Sequence, residues 1–412
     1  MTAPFDAPVP FEGLVPATGA DTIAGVPARW VAAPATTQEA AAILRSAAAH
    51  GMAVVVRGAG TRQDWAAPPR ALDLIVDTGR LTGVVEHAAG DLITVVRAGT
   101  PLSALAEVLA PAGQQLALDA PIQSSTVGGT VALNVSGPRR MLYGTVRDLL
   151  IGVTVVRGDG VVARAGGKVV KNVAGYDLGK LITGSYGTLG LVTECAFRLH
   201  PLPAATAYVS RVVDGVDEAG RLVAAVRGAQ VVPSALEVDA GAGGRIEVCV
   251  LVEGVPDGVT GRVAETRRLL GGEATVAGSA PAWWSTYPWG VGDVGCKLTA
   301  ALSAVPALLA AARTARDRYG VPLPVRGSAG TGVLYAGLPG DADPDTVAAV
   351  LADLRAAATR GHGHAVVLTA PAAVRDRVDP WGPVPGLDLM RRVKAQFDPD
   401  ARFAPGRFVG GI

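Results

Sequence analysis

Residues 124–153 read SSTVGGTVALNVSGPRRMLYGTVRDLLIGV. Three hydroxyl-bearing residues, Ser124, Ser125 and Thr126, run into the adjacent glycines Gly128 and Gly129. The stretch has neither a helical period nor strict alternation. It reads as a long ordered loop or a series of tight turns, and long irregular segments inside compact domains are usually functional. Bare backbone beside hydroxyl groups suits a bound diphosphate. The competing use of Gly128 and Gly129 is close packing of backbone.

Two further glycine-rich stretches flank this one. Residues 54–64, VVVRGAGTRQD, run a valine strand into Arg57, Gly58, Ala59, Gly60 and Thr61. Successive N–H groups in such a turn form an anion nest, and a plain turn is the alternative. The dinucleotide fingerprint G-x-G-x-x-G fails here, because position 63 is Gln and the chain continues into DWAAPP. Residues 166–190, GGKVVKNVAGYDLGKLITGSYGTLG, hold seven glycines and three lysines. Its lysines are otherwise ordinary solvated side chains.

Composition narrows the class. In 412 residues, 49% are apolar and 18% charged, which fits a globular chain of two or three domains. A net charge of +1 argues against a general nucleic-acid binder. Cys195, Cys249 and Cys296 lie far apart with no CxxC, so no zinc or iron–sulfur signature is present and a reducing compartment is expected. MTAPFDAPVPFEGL lacks the basic and apolar regions of a signal peptide, and no apolar run is long enough to span a membrane. His362-x-His364 has no third partner in sequence and reads as a surface turn rather than a metal site. His50, His87 and His200 stand alone and read as structural.

Four segments follow. Residues 1–27, rich in Pro, Ala and Gly, read as a loose arm. Residues 28–203 open with a β–α–β unit: a strand at WVAAP, a helix with Thr36 and Glu39 at capping-box spacing, a stop at Gly51, and a strand at MAVVV. Strands at LDLIVD and LITVVRAGT and a helix from Pro101 to Leu109 come next. The clearest hairpin is IGVTVVRGDGVVARAG, turning at Gly158, Asp159 and Gly160. Residues 204–375 alternate six strands with four Ala-rich helices, an α+β sandwich with helices on one face of an antiparallel sheet. Trp283, Trp284, Tyr287 and Trp289 read as packing between domains. Residues 376–412 read as a basic amphipathic helix and a tail packing back on the first domain.

In this order and spacing, VVRGAGT, TVGGTVALNVSGPRRMLYGTVRDLLIGV, GGKVVKNVAGYDLGKLITGSYGTLGLVTE and DPDARFAPGRF resemble the vanillyl-alcohol-oxidase or PCMH-type FAD-binding flavoproteins. GPRR followed by KNVAGYDLGKL is most similar to the FAD-binding subunit of bacterial glycolate oxidase. The resemblance implies an α+β fold: a PCMH-type FAD-binding domain of two α+β subdomains, plus an α+β antiparallel-sheet cap domain. It implies a first pyrophosphate loop at Arg57, Gly58, Ala59, Gly60 and Thr61. It implies a second cradle at Pro121, Ser125, Thr126, Val127, Gly128 and Gly129. Asn134, Ser136 and Gly137 match the segment beside the flavin, Gly144 and Asp148 the element after it, and Gly187, Gly190 and Val192 the strand edge facing the cofactor.

Departures from the family shape the functional expectation. The first loop carries no His, so FAD is expected to be non-covalent. The His-rich metal and acid–base motif of related 2-hydroxy-acid dehydrogenases corresponds to RGSAGTGVLYAGL, which has no His, so no metal is expected. GSEG reads Gly184-Ser185-Tyr186-Gly187, and NPGK/R reads Ala404-Pro405-Gly406-Arg407. The leading expectation is an FAD-binding subunit of a glycolate-oxidase-like complex that passes electrons from a small 2-hydroxy acid, beside a second flavoprotein, to an iron–sulfur subunit. On that expectation the isolated chain binds FAD and is not reduced by glycolate. The alternatives are a stand-alone 2-hydroxy-acid dehydrogenase, with Arg326 or Lys297 holding the carboxylate, and a scaffold that has lost its cofactor. Lys168, Lys171 and Arg326 are the catalytic candidates. The expected location is cytoplasmic, or peripheral at the inner face of the membrane through partners.

Overall fold

The computed structural model describes residues 9–122, 124–168, 176–241 and 243–412. The first unit is built on two sheets. One has four strands in the order Val15–Pro16, Trp30–Ala32, Leu74–Asp77, Val54–Arg57. Its last three strands are parallel, and Val15–Pro16 is antiparallel to Trp30–Ala32. The helix Thr37–Ala49 makes the crossover. Thr36 caps it by accepting from the Glu39 N–H at 3.1 Å, and the Glu39 carboxylate accepts from the Ala35 N–H at 2.9 Å. Ala40, Leu44 and Ala47 bury its inner face, and Gly51 leaves the helix at φ +63.

The second sheet has five antiparallel strands in the order Val162–Gly166, Leu150–Val156, Leu191–Arg198, Ile93–Arg97, Val84–Ala88. Helices Leu102–Leu109 and Val127–Leu133 contribute Leu105, Leu109, Val127 and Val131 to the core that covers it.

The cap is one antiparallel sheet of eight strands. Their order is Thr275–Ala277, Ala205–Val213, Ile246–Gly254, Ala235–Ala240, Val325–Ser328, Val333–Leu338, Val294–Thr299, Ala365–Thr369. Helices Val216–Gly228, Pro256–Leu270, Val305–Tyr319 and Pro344–Arg360 share its main core on one face. The other face turns to the first unit, where Tyr335 and Val366 pack against the core of the five-stranded sheet. Register places Glu247, Asp239, Arg326, Tyr335, Lys297 and Val366 side by side across this inner face. Six residues in one row, four of them charged, are unusual on a surface packed against another unit.

Three sequence expectations need correction. Residues 9–27 are no loose arm: Val15–Pro16 joins the four-stranded sheet, Thr22–Ile23 and Val26–Pro27 form a hairpin, and Ile23 is buried. The stretch read as an irregular loop contains helices Val127–Leu133, Arg140–Tyr143 and Val146–Leu149. Paired glycines lower helix propensity, yet Thr126 caps the first turn by accepting from the Gly129 N–H at 3.2 Å. The strands Val84–Ala88, Thr275–Ala277 and Val325–Ser328 escaped notice, being short or interrupted by Gly and charge.

The tail closes the structure. The Val54 N–H donates to the Arg402 carbonyl at 2.8 Å, and the Ala404 N–H to the Val54 carbonyl at 2.7 Å. This covers the free edge of Val54–Arg57, which would otherwise expose unpaired backbone. Helix Leu387–Phe397 sends Lys394 inward, where its ammonium donates to the Thr188 and Phe403 carbonyls and to Asp398 at 2.6 Å.

Candidate functional site

A cleft with about 900 Å³ of empty space, open to solvent, runs between the two sheets of the first unit. One wall is the turn after strand Val54–Arg57. Among the described residues, none accepts a hydrogen bond from the backbone N–H groups of Gly58, Ala59, Gly60, Thr61 or Arg62. Five consecutive unused donors on an exposed turn form a nest for an anion. Gly60 sits at φ +73, which a side chain would resist.

Arg62 supplies charge. It is 6% exposed, donates to the Ser125 hydroxyl at 2.6 Å, and leaves Nε and Nη2 buried without a partner. A buried guanidinium with spare donors is costly unless an anion meets it. Arg407 lines the same cleft from the tail, with Nη2 donating to the Gln63 and Trp65 carbonyls at 2.8 and 2.6 Å. Burial pulls its guanidinium down to about 10.

The opposite wall comes from the helix Val127–Leu133 and the segment before strand Leu191–Arg198. Ser125, Thr126, Gly128, Gly129, Gly187, Gly190 and Val192 line it. The glycines divide their work. Gly128 answers the packing alternative, since a Cβ there would lie 2.8 Å from the Ala98 Cβ. Gly187, at φ +71, has nothing within 4 Å of an added Cβ and faces open cleft. At Gly58 a Cβ would collide with the Thr126 hydroxyl, so the two walls approach each other there.

Other expected site residues lie elsewhere. The Arg57 guanidinium turns from the cleft to Asp21 and Asp77, at 2.7 and 2.6 Å. Val127 is buried in the core, and Asn134 ends its helix at φ +51. Ser136 accepts from the Val146 N–H at 2.9 Å. Gly144, at φ +82, lies over Asp148, whose carboxylate closes a capping box with Thr145. Lys168 is exposed and paired with Glu86, not in the cleft. Lys171 lies outside the described residues. Arg62, Arg407, Ile23, Thr78 and Ala98 line the cleft without having been expected there. Two of them carried a signal: Arg62, as the basic residue ending the glycine turn, and Arg407, as the Arg of the Ala404-Pro405-Gly406-Arg407 match.

Pro121, Ser136 and Gly137 line a second space instead, a small pocket between the first unit and the inner face of the cap. Arg140, Glu237, Arg326 and Tyr335 line it too, with Ser285, Thr286 and Ser328. An aromatic pile connects it with the cleft: Trp65 meets Tyr287 at 5.6 Å, Tyr287 stacks on Trp289 at 4.6 Å, and Tyr287 meets Tyr335 at 5.2 Å between ring centroids. Arg326 pairs with Asp239 at 2.8 Å, so its charge is already met within the cap.

Glu237 is 4% exposed, and burial pushes its carboxyl from 4.5 up to about 8. As pH rises, the unfolded chain releases this proton first. The stability tied to protonated Glu237 is therefore full below about 4.5 and is lost progressively up to about 8. Glu237→Gln abolishes that loss. The melting temperature of the variant is expected to gain on the wild type from pH 5 to pH 8 and to hold its lead above; a pH-independent difference contradicts the assignment.

Residues 28–166 match the family described as FAD binding domain. The chain is 38% identical to the glycolate oxidase subunit GlcE of Escherichia coli (strain K12) over 160 residues, 38% of this chain and 45% of that protein. It is 33% identical to the glycolate oxidase subunit GlcD of Bacillus subtilis (strain 168) over 208 residues, 50% of this chain and 44% of that one. The matches thus span less than half the length of these curated relatives. A solved structure of alkyldihydroxyacetonephosphate synthase superposes with a TM-score of 0.70 at 17% identity, covering 92% of this chain and 77% of the other, which shows a shared fold. Among the described residues, no helix is long and apolar enough to cross a membrane.

Proposed function

We propose, on the premise that residues 28–166 form an FAD binding domain, that this chain is the FAD-holding subunit of a glycolate-oxidase-like complex. In that complex a partner flavoprotein takes two electrons from the CH–OH group of a small 2-hydroxy acid, and the FAD of this chain lies on their path to an iron–sulfur subunit. The observation that carries the reading is the nest of five unused N–H donors at residues 58–62 beside the buried, part-unpartnered Arg62. These groups suit the diphosphate of a non-covalently held FAD, with Ser125 and Thr126 on the facing wall. Bound there, FAD supplies a two-electron acceptor.

The residues of the chain bind and screen. Residues 58–62 hold charge on backbone dipoles, while the tail carrying Arg407 covers one side of the cleft. Tyr287 and Trp289 close the space under the cap against water. Among the described residues, no histidine lines the cleft or the interdomain pocket, which favours a subunit that depends on a partner for acid–base chemistry. The cations of the inner cap face favour a second reading, in which the chain oxidises the acid itself.

Anaerobic titration separates the two. Flavin in the purified chain is expected to resist glycolate and D-lactate and to bleach once the partner flavoprotein is added. Bleaching of the isolated chain selects the stand-alone enzyme. A reconstituted complex whose flavin no 2-hydroxy acid reduces overturns both.

A further inference from the structure

Tyr186, which replaces the Glu of GSEG, has no part in the nest or in the facing glycine wall. It nevertheless lines the cleft, and its backbone holds φ +55, a conformation unfavourable for a residue with a large side chain. Its ring packs against two others. Trp381 meets it edge to face at 5.2 Å, Phe408 meets it at 5.2 Å, and those two meet each other at 5.1 Å between centroids. Trp381 and Phe408 also line an open groove at the surface, together with Pro383, Val384, Leu387 and Val409. Rings in contact therefore lead from the wall of the cofactor cleft to an outer face of the molecule.

That face has the character of a docking surface. Among the described residues, Asp379 is the one charged side chain lining the groove, and its carboxylate is spent on the Trp381 and Gly382 N–H groups, both at 3.0 Å. Met390, one turn along the helix from Leu387, extends the apolar strip and is 36% exposed. Guanidinium groups edge it. Arg70 is exposed and donates to the Gly411 carbonyl at 2.9 Å. Arg355 lies against Gly382 and donates to the Ala365 and Asp379 carbonyls. Neither arginine bonds to a carboxylate among the described residues. An exposed apolar strip edged by such cations fits a partner with an apolar anchor and an acidic rim.

We infer that this groove is where electrons leave the chain: it docks the iron–sulfur protein through an apolar anchor ringed by acidic residues, and Tyr186 and Trp381 are the packed matter that the electrons cross. Tunnelling weakens steeply with distance and is better supported by side chains in contact than by open water. The ring path therefore favours a redox partner over a lipid surface or a second copy of the chain. Two electrons pass singly from the reduced flavin to a one-electron iron–sulfur centre, and the flavin's protons go to water. The rings between them change neither charge nor oxidation state. This deepens the proposed function and rests on it for the identity of the partner.

The test uses the whole complex. The full chain, carrying an N-terminal tag, is co-expressed and purified with the second flavoprotein and the iron–sulfur subunit. Met390→Glu places a carboxylate at an exposed position against the acidic rim. It is expected to lower the iron–sulfur subunit retained roughly tenfold, with flavin content and melting curve as in the wild type. Glycolate is then mixed rapidly with the oxidised complexes, and flavin and cluster are followed by absorbance and electron paramagnetic resonance. In Trp381→Leu the flavin is expected to bleach at the wild-type rate while cluster reduction slows roughly tenfold. A Met390→Glu chain that retains the iron–sulfur subunit in full refutes the groove and leaves the proposed function standing. Cluster reduction at the wild-type rate in Trp381→Leu refutes the ring path. Should Met390→Glu instead dissociate a dimer of this chain, or abolish its binding to phosphatidylglycerol vesicles, the groove has another occupant and the inference falls. A wild-type chain that carries flavin but retains no iron–sulfur subunit overturns the proposed function together with it.

Discussion

Gly58→Val is expected to leave the purified chain nearly free of flavin, with FAD affinity down on the order of 100-fold, about 2.7 kcal/mol. Any Cβ at this position strikes the Thr126 hydroxyl, which caps the helix Val127–Leu133 by accepting from the Gly129 N–H. The collision pushes apart the two walls that face each other across the cleft. The isopropyl group also crowds the turn of residues 58–62, whose N–H groups have no acceptor among the described residues. Because the cap has its own core, its melting transition should persist. The measurement is flavin absorbance per chain after purification and after incubation with excess FAD. Wild-type loading of Gly58→Val removes this turn from the cofactor site.

Lys394→Met is expected to destabilise the first unit by about 3–5 kcal/mol, the cost of stranding a buried charge. The Lys394 and Asp398 side chains are 8% and 1% exposed and lie 2.6 Å apart. Asp398 also accepts from the Phe403 N–H at 2.7 Å, and Lys394 ties the Thr188 and Phe403 carbonyls together. Removing the ammonium leaves that carboxylate without its counter-charge and the two carbonyls without this donor. The tail then loosens from strand Val54–Arg57, and Arg407 leaves the cleft with it. Unfolding by urea should show an earlier first transition together with weaker FAD binding. Lys394→Met combined with Asp398→Leu should recover part of the loss, since a pair replaced by apolar groups leaves no stranded charge.

The elements that were legible in the sequence share a physical cause. The helix Thr37–Ala49, the hairpin of Leu150–Val156 with Val162–Gly166, and the four long cap helices each repeat a periodic apolar pattern between caps or glycines. The helix Val127–Leu133 did not, because its start depends on one threonine and its stability on burial of Val127 and Val131 against strands distant in sequence. Residues 9–27 fold by tertiary contact: Asp21 meets Arg57, and Ile23 fills a space beside the cleft. Neither contact has a local signature.

The site divides in the same way. Glycine turns announce backbone donors, so residues 58–61 and 125–129 could be read directly. Where an arginine points cannot. Arg57 follows the strand into the turn but faces two aspartates, whereas Arg62, at the far end of the turn, folds under the loop and is 6% exposed. Arg407 reaches the cleft from a tail far along the chain. Charge that serves a site through long-range packing is visible only once the partners that neutralise the other charges are known, as with Arg139 and Arg326.

The central claim is that residues 58–62, Arg62 and the facing glycines hold FAD. The most direct measurement is the visible spectrum of the purified full chain, with the supernatant assayed after heat denaturation. The structure predicts flavin absorbance bands and release of close to one equivalent of FAD into the supernatant, as a cofactor held without a covalent bond must behave. A colourless chain that takes up no added FAD would contradict it.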